Sequence, residues 1–446
     1  MPTPYQHHPQ DFKNHTLVLD ANDLPGDKSI THRAYILATL CNNNSIIENP
    51  SLAEDCEHTR LVMQSLGGNL SIPKKENNLF RSYVKGRGLK LKKPAKMLYI
   101  GNSGTALRLI TGLLAAQNFD SQITGDNSIQ KRPMDRIIDP LSLMNVRIQA
   151  TVNHQKRCAP LLIEGNPELK GIAYDMPIAS AQVKSSLLLA GLYAQDKTTV
   201  IEPAPSRDHS EKLLRYLGAD ILTKNNIISI TPHKPLRNPN ENLPIFIPND
   251  FSAAAFFIIL AAASENCTFI LRKVSLNPQR CKLLSILKTM GLNYFIENRQ
   301  EHSETYGDVV VSSSKLYNVQ IPKEHIAQFI DEIPILAIAG CFAQGRFCIS
   351  GAKELRVKEC DRIMAMVKLL RNMGATVEEQ DDGFSFEGPA KIKDFHCQSF
   401  GDHRIAMSAI IAAHIAKVKV SVDDIDCIQT SFPRFLDCLK KCYDPL

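Results

Sequence analysis

Two hydrophobic rhythms alternate along this chain: apolar positions recurring every three or four residues, and short runs of β-branched and aromatic residues between them. The first predicts helices and the second predicts strands. The helical rhythm recurs behind one kind of opening. GDKSITHRAYILATL starts at 26, GNSGTALRLITGLLAA at 101, ASAQVKSSLLLAGLYA at 179, NDFSAAAFFIILAAA at 249, IDEIPILAIAGCFAQG at 330 and GDHRIAMSAIIAAHIA at 401. Small or polar residues precede an apolar helix in each case, and the six starts lie roughly 70 to 80 residues apart, the mark of an internal repeat. A second helical pattern follows each, often leaving through glycine, as in LVMQSLGGNL at 61, LLRYLGADIL at 213, LLSILKTMGLNYF at 283 and LLRNMGATVEE at 369. Glycine just past such a run fits a left-handed helix C-cap. Short β-like runs such as SIIEN, TTVIEP, CTFILRKV and RFCISGA lie between the helices.

The repeating unit therefore reads βαβαββ, and six units divide most simply into three plus three. The fold class expected is α/β (α+β), with two similar domains of three units each, an inverse α/β barrel. A polar, Pro- and Asn-rich connector, NPNENLPIF at 238 to 246, marks the hinge. We expect one domain over 25–243 and the other from 1–24 plus 244–446, the chain crossing the hinge twice. That arrangement puts the active site in an interdomain cleft lined by helix N-termini, which are anion-binding ends.

Composition narrows the chemistry. The 446 residues, 44% of them hydrophobic, exceed what one core usually holds. Lys and Arg number 52 against 46 Asp and Glu, a net charge of only +6, with 7% aromatics and no Trp, too mild a balance for a nucleic-acid partner. Twelve cysteines lie scattered without a CxxC pair, so they read as reduced core thiols of a cytoplasmic protein rather than a zinc site. Nothing at the start resembles a secretory signal, and the longest nearly unbroken apolar run, 251 to 263, has 13 residues, so no membrane partner is expected. His7 and His8 stand in a polar segment expected to fray. Between Lys74 and Lys96 nine Lys or Arg residues cluster, and alternation there predicts a solvated hairpin without chemistry.

The polar openings carry the candidate chemistry. Lys28, Ser29 and Arg33 stand in GDKSITHR, Arg108 in GNSGTALR, and Arg132 and Arg136 in QKRPMDR. Basic residues at a helix N-terminus oppose its dipole, so they point to an anionic ligand. SAQVK adds Ser180, Gln182 and Lys184, and PSRDHSEK adds Ser206, Arg207 and His209, though capping explains Ser180 or Ser206 equally well. The fourth unit has no basic residue in its first helix and reads as scaffold. The fifth reverses the sign, with Asp331 and Glu332 in IDEIP, then Glu354, Arg356, Lys358, Glu359, Asp361 and Arg362 in ELRVKECDR. These charges could be surface ion pairs, or a carboxylate held ionised among cations as a general base. Arg404 and His403 in GDHR close the set, His403 reading as a satisfied supporting residue. So many cations suit a pair of small acidic substrates.

LPGDKSITHR, GNSGTALR, KRPM, SAQVKSSLL, SRDHSEK, IDEIP, RVKECDR, GDHRIAM and TSFP, in this order over nearly the whole chain, resemble the 5-enolpyruvylshikimate-3-phosphate synthases, the 3-phosphoshikimate 1-carboxyvinyltransferases. The resemblance implies transfer of the enolpyruvyl group of phosphoenolpyruvate to the 5-hydroxyl of shikimate 3-phosphate with release of phosphate. It implies addition and elimination through a tetrahedral intermediate, no metal, no cofactor, and a monomer. By position, Lys28, Ser29 and Arg33 resemble shikimate 3-phosphate contacts, Lys28 reaching phosphoenolpyruvate as well, while Ser180, Ala181, Gln182, Ser206 and Arg207 surround the sugar-like phosphate side. Asn102, Gly104, Thr105, Arg132, Arg362 and Arg404 resemble the phosphoenolpyruvate set. Asp331 resembles the acceptor of the hydroxyl proton, and Glu359, beside Lys358, the group that protonates and later deprotonates the methyl carbon; Lys28, Asp331 and Glu359 are thus the implied catalytic residues. Two positions depart from the family's best-studied form: Thr430 stands in TSFP where that form has lysine, and His209 where tyrosine is common. These departures look like the divergent branch often less sensitive to glyphosate, whereas Gly104 retains the small residue associated with inhibitor binding, so sensitivity stays open. The related UDP-N-acetylglucosamine 1-carboxyvinyltransferases have Lys-Asn in the opening motif and a loop cysteine as acid, and GDNSIQKRPMDR has none.

Overall fold

The computed structural model describes residues 2–12 and 16–443. Its residues fall into two compact units: one runs up to Gly26 and resumes at Pro248, the other is Asp27–Ile247.

One strand order repeats through the sheets. Leu98–Tyr99 runs parallel to Ser121–Thr124, which pairs antiparallel with Lys156–Glu164, which pairs antiparallel with Arg147–Asn153. The same sequence of first, second, fourth and third strand recurs in Ala173–Asp175, Thr198–Ile201, Ile227–Ile230 and Ile221–Lys224. In the first repeat the leading strand is Ile245–Phe246, laid parallel to Ser45–Glu48, and Ile247 N donates to Glu48 O at 2.9 Å. In the fourth it is Thr16–Leu19, parallel to Thr268–Ser275. Each unit thus completes its first repeat with a strand from far along the chain. The fifth has only an isolated parallel bridge, Tyr317 to Gln344, in that place, beside Gly345–Ile349, Gly383–Gly388 and Val377–Gln380. The sixth pairs Phe395–Cys397 with Val420–Val422, and Tyr5–His7 adds antiparallel on the other side.

The six leading helices are Lys28–Thr39, Gly104–Ala115 and Ala181–Gly191 in one unit, and Phe251–Ala263, Ile333–Phe342 and His403–Ala416 in the other. They are buried along nearly their whole length, several of their polar residues included, and their apolar residues belong to each unit's core. A continuous helical run of 20 residues, Lys323–Phe342, is apolar enough by length and composition to cross a membrane, longer than the 13-residue run sought in the sequence, yet most of it is buried inside its unit. Glycines end the second helices of four repeats in the left-handed region, Gly67 at φ +90°, Gly218 at +84°, Gly291 at +102° and Gly374 at +111°; Asn145 does so at +68° in the second repeat. Lys74–Glu76 and Leu79–Lys85 form the expected hairpin.

The N-terminus departs from expectation. His7 does not fray: its strand hydrogen-bonds to Val420–Val422, and its ring stacks on His414 with centroids 3.9 Å apart. The pairing supplies the sixth sheet with a third strand, which outweighs the polar sequence around it. His414 Nδ1 is hydrogen-bonded to the Tyr443 hydroxyl. Burial, and next the neighbouring His7, push the His414 pKa down to about 3. An unfolded histidine takes a proton near 6.5, so below that pH the unfolded chain binds more protons and stability falls until about pH 3. Unfolding free energies from urea titrations between pH 6 and pH 4 should therefore drop more steeply for the native chain than for His414→Phe, by about 1 kcal/mol per pH unit. Parallel curves would show that His414 stays unlinked to folding.

Candidate active site

In the unit Asp27–Ile247, three helix starts carry the candidate residues. Asp27 caps the first helix, accepting from Ile30 N at 2.9 Å, and Lys28 follows with its ammonium 2.9 Å from Asp55. A cation at that end opposes the helix dipole; Asp55, from the second helix of the same repeat, offsets this. Arg33 is buried, its guanidinium donating to Ser29 O (2.8 Å), Ser185 Oγ (2.9 Å) and Ser210 Oγ (2.6 Å), so it ties together the helices Lys28–Thr39, Ala181–Gly191 and His209–Tyr216. Ser103 caps Gly104–Ala115 and accepts from Ala106 N at 3.1 Å. Asn102 accepts from Arg132 Nη2 at 2.6 Å. A Cβ on Gly104 would meet Arg108 Nη1 at 2.7 Å and Arg132 Nη1 at 3.1 Å, so both guanidinium groups crowd this helix start. Gln182 joins the second and third starts, its amide donating to Thr105 Oγ1 at 3.1 Å and its carbonyl accepting from Arg108 at 2.8 Å. Ser180 caps Ala181–Gly191, and Ser206 donates to Glu202.

His32 belongs to this cluster although the sequence drew no attention to it. Its Nδ1 lies 2.7 Å from Thr59 Oγ1 and its Nε2 3.3 Å from Ser103 Oγ. Burial first, then Lys28 and Arg33, hold its pKa well below the usual value, so the ring is neutral and links the Lys28 helix to the Asn102–Thr105 turn.

The other unit carries the carboxylates. Asp331 Oδ1 is 3.4 Å from Lys358 Nζ and 3.3 Å from Arg362 Nη1. Glu359 Oε2 is 2.5 Å from Arg362 Nη2, and Asp402 Oδ2 is 2.8 Å from Arg362 Nε. Arg362 is buried, which works against its charge, but Asp402, Glu359 and Asp331 reverse this and raise its pKa above the ordinary value. Asp402 is buried too, yet Arg362 holds it below the carboxylate range. The same Asp402 caps His403–Ala416 through Arg404 N at 2.9 Å, and Arg404 Nη1 donates to the Asp331 carbonyl at 2.8 Å. Of the ELRVKECDR charges, Arg356 pairs with Asp361 at 2.8 Å and Glu379 at 3.1 Å, and Asp361 caps Arg362–Met373; these hold the turn that presents Lys358 and Glu359.

The fourth repeat is more than scaffold. Glu332 is fully buried 2.9 Å from Arg280 and 3.5 Å from Arg404, and Ser252, at the start of Phe251–Ala263, bonds to Glu332 and Arg280 and accepts from Arg404 at 3.2 Å. An acidic cap, Asp250, before a wholly apolar helix was the available signal.

Within each unit the expected residues therefore gather at helix starts: cations, hydroxyls and amides on one unit, carboxylates interleaved with cations on the other. This is the equipment of an enzyme that binds small anions and moves protons. Residues 21–439 match the family model EPSP synthase (3-phosphoshikimate 1-carboxyvinyltransferase). The chain is 44% identical over 421 residues to the 3-phosphoshikimate 1-carboxyvinyltransferase of Petrotoga mobilis, covering 94% of this chain and 95% of that one. The Coxiella burnetii protein of the same name is 41% identical over 416 residues, 93% and 92% covered. The structure of EPSP synthase from Acinetobacter baumannii superposes with a TM-score of 0.85 at 37% identity, covering 99% of this chain and 98% of that one. The chain belongs to the EPSP synthase family. It is a carboxyvinyl-transferring enzyme, with 3-phosphoshikimate as acceptor.

Breaking a buried ion pair by removing one partner typically costs about 3 kcal/mol or more. Arg280→Met should lower the unfolding free energy by about that amount in urea titrations, because among the described residues Glu332 then keeps the more distant Arg404 as its one charged partner, beside the Ser252 hydroxyl. A loss below about 1 kcal/mol would mean the pair contributes little.

Proposed function

We propose that Asp331 and Glu359 carry the two proton transfers by which phosphoenolpyruvate and shikimate 3-phosphate become 5-enolpyruvylshikimate 3-phosphate and phosphate. The observation that supports this most directly is their shared partner: both carboxylates reach the Arg362 guanidinium, and Asp331 also has Lys358. Asp331 takes the 5-hydroxyl proton as that oxygen bonds to the donor's C2, and Glu359 gives a proton to the methylene carbon. Glu359 then takes a methyl proton back as the C–O bond to phosphate breaks. Cations fixed beside these carboxylates stabilise the negative charge carried by both substrates and the leaving phosphate without reorganising.

Lys28, Ser29, Arg33, Ser180, Ala181, Gln182, Ser206 and Arg207 are the acceptor's residues in this reading. Asn102, Gly104, Thr105, Arg132, Lys358, Arg362 and Arg404 are the donor's, with Lys28 serving both. Support comes from the helix starts, whose free N–H groups and adjacent cations suit phosphate and carboxylate. For Arg33, with its donors spent on Ser29, Ser185 and Ser210, the same geometry supports holding the acceptor's helices as well as touching it. The two compact units serve as the two three-repeat domains. The described cysteines, none of them in a disulfide, suit the cytoplasm.

Phosphate release by the purified protein with phosphoenolpyruvate should require shikimate 3-phosphate and should not occur with UDP-N-acetylglucosamine in its place; the reverse would overturn the reading. Asp331→Asn should cut kcat by roughly 10² to 10⁴ with substrate KM values little changed, and an unchanged kcat removes Asp331 from the chemistry. Arg132→Ala should raise the KM for phosphoenolpyruvate by about tenfold or more, and an unchanged KM removes that contact.

A further inference from the structure

Lys184 stands in the SAQVK motif among residues assigned to the acceptor, yet its ammonium turns into the protein. Its side chain is 1% exposed, and its Nζ lies 2.7 Å from Glu202, 2.6 Å from Glu211 and 3.4 Å from the Ser206 carbonyl. All three partners lie in one stretch, Glu202 to Glu211, whose first residues have no regular secondary structure. Glu202 is itself buried, and its second oxygen accepts the Ser206 hydroxyl. Glu211 Oε2 is buried without a hydrogen-bond partner, and burial, only partly offset by Lys184, raises the Glu211 pKa. Lys184 therefore faces two buried carboxylates, and of the two Glu202 is the one that also accepts the Ser206 hydroxyl.

This arrangement creates a conflict that Lys184 resolves. Ser206 donates its one proton to Glu202, but a phosphate can be bound by that hydroxyl only if the proton turns to the phosphate. Once it turns, Glu202 is a buried carboxylate facing an incoming dianion. With Lys184 in place, Glu202 keeps a charged partner; without it, the carboxylate is stranded, at the cost of an unpaired buried ion. We propose that Lys184 is a positioning residue for acceptor recognition: it neutralises Glu202 so that Ser206 can transfer its hydrogen bond from Glu202 to the phosphate of 3-phosphoshikimate. This rests on the reading that Ser206 contacts that phosphate.

The test is calorimetric binding of shikimate 3-phosphate, together with KM for each substrate, in Lys184→Met, Glu202→Gln, Ser206→Ala and the combinations of Lys184→Met with each of the other two. Lys184→Met should weaken shikimate 3-phosphate about tenfold or more and leave the KM for phosphoenolpyruvate within about twofold. Adding Glu202→Gln should return the affinity to that of Glu202→Gln alone, since the carboxylate beside Ser206 is then gone and Glu211 does not touch that hydroxyl, whereas loss of a merely structural lysine would not be rescued this way. Adding Ser206→Ala should cost little beyond Ser206→Ala itself. Native affinity in Lys184→Met, absence of rescue, or multiplied losses with Ser206→Ala would each overturn the role of Lys184. If Ser206→Ala alone binds normally, the reading of Ser206 fails and takes this inference with it, a result distinct from normal binding confined to Lys184→Met. Should Lys184→Met not fold, the charge-balanced pair Lys184→Met with Glu202→Gln carries the test: binding unlike that of Glu202→Gln alone overturns the proposal.

Discussion

A guanidinium with 1% of its side chain exposed, that of Arg362, is the constraint on which the carboxylate-bearing site depends. Burying such a charge is tolerable only if partners surround it. Asp402 meets its Nε, Glu359 one terminal nitrogen and Asp331 the other. Because the guanidinium is planar and rigid, it fixes where the three carboxylates stand relative to one another. Asp402 carries that geometry onward as the cap of the helix holding Arg404, and Arg404 returns to the Asp331 backbone. The site is thus a closed ring of charge-assisted bonds, in which Asp331 is positioned both through its side chain and through its peptide.

The other unit solves the opposite problem with the same means. Its helix starts gather cations, which repel one another and the helix dipoles when no anion is bound. Lys28 is offset by Asp55, the charge of Lys184 by Glu202, and Arg33 spends its donors on hydroxyl and carbonyl oxygens. Each cation therefore has a resting partner.

The fold was legible because its signal is repetition: six copies of a buried helix behind a polar opening survive errors in any single segment. What escaped were the contributions from afar. Ile245–Phe246 and Leu98–Tyr99 are two-residue strands whose partners alone make them strands, and no periodicity exists over two residues. The strand Tyr5–His7 is polar and short, and only its pairing with Val420–Val422 orders it. At the site, cations announced themselves by standing where a helix should not tolerate them. Their carboxylate partners did not, since Asp55 and Asp402 lie where acidic residues are ordinary first-turn or cap residues and Glu202 lies in the irregular stretch after the strand Thr198–Ile201. Arg280 lies in a turn with no pattern at all, so only the three-dimensional structure joins it to Glu332.

Thr430 shows how a departure from a family pattern can be absorbed. A lysine at this place would add a mobile cation; threonine instead bonds to the Cys427 carbonyl at 2.7 Å and lies 3.4 Å from His403 Nδ1. His403 opens the helix whose second residue is Arg404, so the substitution exchanges a charge for a tether on the element that carries another charge. The nearby positive charge then rests on Arg404, whose guanidinium is already oriented by the Asp331 carbonyl and Ser252. A flexible lysine loses side-chain entropy when it binds an anion, whereas an arginine fixed in advance has lost most of it before the anion arrives. Arg404 is thus held through its backbone N–H by Asp402 and through its guanidinium by Asp331 and Ser252, a fixity that a flexible lysine at position 430 would lack.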